Sequence, residues 1–87
     1  MRSHQDPALL KAFAAELKAR RATLGLSQDS LAFASGVNRT FVAKLELGAT
    51  SPSLTSIFRL AEGLQVEPWE LMLSLQERFA KEKRSSR

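Results

Sequence analysis

A small residue, a glycine four positions later and a β-branched apolar residue six beyond that constrain this chain most: Ala32, Gly36 and Val42. Glycine accepts a left-handed backbone without strain, so Gly36 marks a sharp turn. Ala32 is small enough for a second helix to cross closely, and Val42 supplies an apolar wedge between the two. Two short helices joined through Ser35-Gly36-Val37 form a helix-turn-helix.

The remaining sequence supports an all-α chain. No period-2 run of β-branched residues appears, whereas helical spacing recurs five times. Asp6-Pro7 opens a first helix with a cap residue and a first-turn proline. Leu10, Phe13, Ala14, Leu17, Arg21 and Leu24 share one face, and Gly25 stops the helix. The second helix follows Ser27 to about Ala34, burying Leu31 and Ala32. Asn38 can cap a third, with Val42 and Leu45 inward, ending at Gly48. A fourth runs from about Ser53 to Leu64, burying Leu54, Ile57, Leu60, Ala61 and Leu64. Glu67-Pro68 opens a fifth that reaches about Lys81. The expectation is a flexible stretch over 1–6, one domain over 7–82 and a basic flexible tail over 83–87.

Composition enters mainly through what it excludes. No apolar run approaches the length of a membrane span, and Met1 to Asp6 lacks the apolar stretch of a secretory signal. With no cysteine, disulfides and thiolate metal sites are out of reach, in keeping with a cytoplasmic protein. The one histidine, His4, stands near the chain start, and neither a G-x-S-x-G turn nor a phosphate loop is present. No enzyme activity, cofactor or small-molecule ligand is therefore expected. The net charge of +4 resides between Arg78 and Arg87, which leaves eight basic and eight acidic residues before it. The high pI is thus a property of the tail, and a case for DNA must come from local residues.

Those residues lie in the third helix. With Val42 and Leu45 inward, Arg39, Thr40, Ala43 and Lys44 project outward, and residues 38–44 hold two cations and no acid. Arg39 can grip guanine O6 and N7 with its planar fork. Thr40 can offer a methyl to thymine or a hydroxyl to a base edge or phosphate, and Lys44 can take a base or a phosphate. Phe41 is expected to be partly buried, with packing on the DNA backbone as the other option.

Leu24-Gly25-Leu26-Ser27-Gln28, Leu31-Ala32, Gly36-Val37, Glu46, Gly48, Pro52-Ser53-Leu54 and Leu60-Ala61-x-x-Leu64-x-Val66 together resemble the Cro/CI-type, or Xre, family of helix-turn-helix regulators. The likeness spans about Phe13 to Leu73. It implies a five-helix, lambda-repressor-like DNA-binding domain whose third helix enters the major groove of double-stranded DNA. By position it makes Arg39, Thr40 and Lys44 the base readers. Gln28 becomes a phosphate contact, aided by free amides at a helix start. Asn38, Ser27, Thr50 and Ser53 flank the same surface as backbone-contact candidates. For the three hydroxyl residues, capping or turn roles stand equally open. The likeness also implies a structural ion pair between Arg21 and Glu46. Asn38-Arg39-Thr40-Phe41 further resembles the helix start of restriction–modification controller proteins, a branch of the family.

The fifth helix carries more apolar residues than one small core can cover: Trp69, Leu71, Met72, Leu73, Leu75 and Phe79. Trp69 and Met72 can close the core, which leaves Leu75 and Phe79 exposed as a patch seeking a partner. A twofold homodimer through Met72, Leu75 and Phe79 is expected, on an inverted-repeat operator with half-sites about 10 base pairs apart. The competing function is a protein-interaction module, antitoxin-like or adaptor, on the same fold. Three departures from the family stand out: Leu47 for a polar or basic residue, Gly63 for an alanine, and Glu67 for a better cap. Gly63 is expected to weaken its helix end by ~1 kcal/mol.

Overall fold

The computed structural model describes residues 5–85 and resolves them into α1 (Pro7–Leu24), α2 (Gln28–Ser35), α3 (Arg39–Glu46), α4 (Leu54–Gly63) and α5 (Pro68–Ser85). Residues 1–4 and 86–87 of the expected flexible ends, His4 included, lie outside the described residues. The Asp6 carboxylate accepts the amides of Ala8 and Leu9, with Pro7 in the first turn. Gly25 and Gly36 close α1 and α2 in the left-handed conformation. Ser27, Asn38 and Ser53 cap α2, α3 and α4 through their side-chain oxygens. Glu67 is a weak cap, and Glu70 compensates by reaching back to accept the Glu67 amide at 2.9 Å.

The core gathers Leu17, Leu31, Val42, Leu45, Leu60, Ala61, Leu64 and Leu71. α1 packs along α5 and against α3, while α2 packs on α3 and α4. Leu24 and Leu54 depart from expectation, being exposed. Leu24 is the last residue of α1, and Leu26 beyond the turn packs on the core instead. Leu54 opens α4 on the side away from the core, which Ile57 meets one turn later.

One clasp on α1 escaped the sequence reading. Glu16 is buried, and its carboxylate accepts hydrogen bonds from Ser74 at 2.7 Å and Arg78 at 2.6 Å, both on α5, and from Arg20 on its own helix. Burial alone would raise the Glu16 carboxyl. The donors Ser74, Arg78 and Arg20 more than offset it and hold the group below the ordinary glutamate range.

Gly63 also differs from expectation. An added Cβ there would lie 2.0 Å from Ser35 Oγ and 3.0 Å from the Ser35 amide nitrogen. The glycine lets α4 touch α2, so an alanine would collide rather than strengthen the helix. α5 continues to Ser85, past the expected domain end at 82. No glycine or proline interrupts it, and Lys83 lies over the Phe79 ring one turn earlier, 5.0 Å from its centroid.

Candidate nucleic-acid interface

α3 is held from behind. Val42 and Leu45 are fully buried and Phe41 is half-buried against the core. Val37 donates its amide to the Ala32 carbonyl at 3.0 Å, which closes the turn beneath the helix start. The buried α3 face fixes the helix about its own axis, and the opposite face carries Arg39, Thr40 and Lys44, all exposed.

The far end of α3 is tied down by Glu46. Arg21 grips its carboxylate with two parallel hydrogen bonds, Nε to Oε2 at 2.7 Å and Nη2 to Oε1 at 2.9 Å. The same guanidinium donates to the Leu26 carbonyl at 2.9 Å, and Gln28 Nε2 donates to Glu46 Oε1 at 3.0 Å. One carboxylate therefore binds the end of α1, the start of α2 and the end of α3. Burial would raise the Glu46 carboxyl. Hydrogen bonds from Arg21 and Gln28, with the charges of Arg21 and Lys18, hold it below the ordinary range. Its hydrogen bond in turn keeps the Arg21 guanidinium more firmly protonated than usual, against a smaller opposing effect of burial.

The candidate backbone contacts divide by what already occupies them. Gln28 is half-buried; its bond to Glu46 leaves one amide hydrogen and the carbonyl oxygen available. Ser27 Oγ accepts the Ser30 amide at 3.0 Å and donates to Ser30 Oγ. Ser53 Oγ accepts the Ser56 amide at 3.1 Å and shares a hydroxyl–hydroxyl hydrogen bond with Ser56, and Asn38 Oδ1 accepts the Phe41 amide at 2.8 Å. Capping thus accounts for the oxygens of all three, while Thr50 is half-buried in the following loop.

Two neighbours of the exposed α3 face went unnoticed in the sequence. Asp29 Oδ1 of α2 lies 3.5 Å from Arg39 Nε. Arg59 of α4 donates to the Gly36 carbonyl at 3.4 Å and lines one shallow hollow with Asn38, Phe41 and Ser56. Both contacts join helices through a crossing angle, for which sequence spacing gives no signal.

The apolar residues of α5 divide differently from expectation in the single chain. Ser74, Arg78 and Glu82 meet Glu16 and Lys11 of α1, so the α5 stripe containing Leu75 faces inward. Leu75 packs on the core and Phe79 is half-buried. The open apolar face lies one stripe away: Leu54 (73% exposed), Phe58 (56%), Trp69 (66%) and Leu73 (51%), around a groove that Met72 also lines. Trp69 therefore does not close the core. Among the described residues no helix is long and apolar enough to cross a membrane.

The helix-turn-helix family matches residues 17–71, more than half the chain. No curated protein sequence matches it. Among solved structures, the restriction-modification controller protein C.AhdI from Aeromonas hydrophila is 44% identical at a TM-score of 0.68, covering 71% of this chain and 94% of that one. The wild-type controller protein C.Esp1396I is 25% identical at a TM-score of 0.77, over 84% and 95% of the two chains. The tetramer of C.Esp1396I in complex with its natural 35 base-pair operator matches at 24% identity and a TM-score of 0.76, over 83% and 95%. At that identity the likeness speaks for the fold alone.

Proposed function

Because this chain belongs to the helix-turn-helix family, we infer that it is a sequence-specific transcription regulator that binds double-stranded DNA and reads the major groove with α3. One observation carries the reading: Arg39, Thr40 and Lys44 stand exposed on a helix whose other face is locked into the core. Arg39 reads a guanine, Thr40 a neighbouring base edge, and Lys44 a base or phosphate one turn on. Gln28 supplies a phosphate contact, and Ser27, Asn38, Thr50 and Ser53 border the same surface. The 44% identity to C.AhdI favours a controller of a restriction–modification system.

The active form is a homodimer, supported by the exposed Leu54, Phe58, Trp69 and Leu73, too large an apolar face to leave in water. A homodimer reading an inverted repeat needs its two copies of α3 about one DNA turn apart, roughly 34 Å. Selection of bound sequences from random duplexes tests this. An inverted repeat with half-sites about 10 base pairs apart is the expected result. Recovery of no preferred sequence would overturn it in favour of a protein-interaction module. Arg39→Ala should cost about 1–3 kcal/mol on the selected duplex and relax preference at one base pair. Equal loss on every sequence would reduce Arg39 to a phosphate contact.

A further inference from the structure

We propose that Asp29 is a positioning residue that sets sequence discrimination by orienting Arg39, an assignment that rests on the reading of α3 as the base-reading helix. Asp29 stands in the first turn of α2, where a carboxylate suits the helix dipole. Its side chain is 76% exposed and lies against Arg39, itself 66% exposed, with Oδ1 3.5 Å from Nε.

The choice of atom matters. An arginine guanidinium offers a side edge through Nε and an end edge through its two Nη groups. Asp29 lies nearest the side edge, as an ion pair through Nε, so its carboxylate does not occupy the end edge. The spacing of the two Nη groups fits O6 and N7 of guanine. Without a partner, a long arginine on an exposed helix samples many rotamers and finds a phosphate as readily as a base.

The charge matters as well. Up to Glu77 the chain is balanced between acids and bases, so a carboxylate at the reading face weakens attraction to any duplex. When Arg39 meets guanine, Asp29 keeps its partner. When Arg39 swings to a phosphate, Asp29 is left unpaired beside a polyanion. The carboxylate thus penalises wrong sequences more than right ones.

The test compares the wild type, Asp29→Asn, Arg39→Ala and the double variant. The probes are the duplex that the wild type selects from a random pool, that duplex altered at the base pair Arg39 reads, and a scrambled duplex of equal length. Asp29→Asn should bind the scrambled duplex several-fold more tightly and lose roughly tenfold in discrimination at the Arg39 base pair. In the Arg39→Ala background the same substitution should leave discrimination unchanged. A role confined to the start of α2 would move the melting temperature and not this ratio. Equal gain on all three duplexes with full discrimination would overturn the proposal and leave α3 as the reader. Failure of the wild type to select any sequence would overturn the reading of α3 and this assignment with it.

Discussion

At Gly63 the chain gives up helix propensity so that two helices can touch. Alanine would gain ~1 kcal/mol of intrinsic helicity but would press its methyl on Ser35, including the backbone nitrogen at 3.0 Å. Overpacking of this kind costs about 1–3 kcal/mol, so Gly63→Ala should lower the melting temperature by several degrees in calorimetry. Ser35→Gly in the same chain should recover part of the loss. A more stable Gly63→Ala protein would show that α2 and α4 have room to separate. The sequence suggests the opposite sign because Ser35 lies far from Gly63 along the chain, and only packing brings them together. The exposure of Arg39, Thr40 and Lys44 was legible for a local reason: they share one short helix with Val42 and Leu45, so fixing the inward residues fixes the outward ones. Asp29 was not legible, because its contact depends on how steeply α2 crosses α3.

Helix ends were readable where a cap or breaker is chemically distinctive, as at Asp6-Pro7, Gly25, Gly36 and Asn38. What joins the helices was less so. Glu16 and Arg20 have the spacing of an ordinary surface pair, yet Glu16 is buried and clasps Ser74 and Arg78 across α1 and α5. This clasp gives the pairing of the two long helices an acid sensitivity. Glu16 and Glu46 in the folded chain hold protons less readily than an unfolded glutamate, whose value lies near 4.3. The unfolded chain therefore takes up more protons as pH falls, and stability declines. The contribution is complete above the unfolded value and lost as pH drops through the folded ones. Urea unfolding at pH 7 and pH 4 should show the loss. Glu16→Gln should cost about 1.5–3 kcal/mol at pH 7 and flatten the acid limb. An unchanged acid limb in that variant would assign the sensitivity elsewhere.

In the whole molecule, the apolar surplus of α5 was visible in sequence but its direction was not. Two adjacent stripes carried it, and the contacts of Ser74, Arg78 and Glu82 with α1 decide which turns inward. Leu73→Lys should therefore yield a monomer by light scattering at concentrations where the parent is dimeric. The stability of the isolated chain should stay within about 0.5 kcal/mol, since Leu73 is exposed. A parent that remains monomeric at high micromolar concentration would remove the dimer from the account. The division of α3 into an anchored back and an open front has a consequence for descent. The three front positions can drift without disturbing any buried neighbour. On the proposed reading of α3, exchanging a few letters there gives a new operator on an inherited frame that need not be rebuilt.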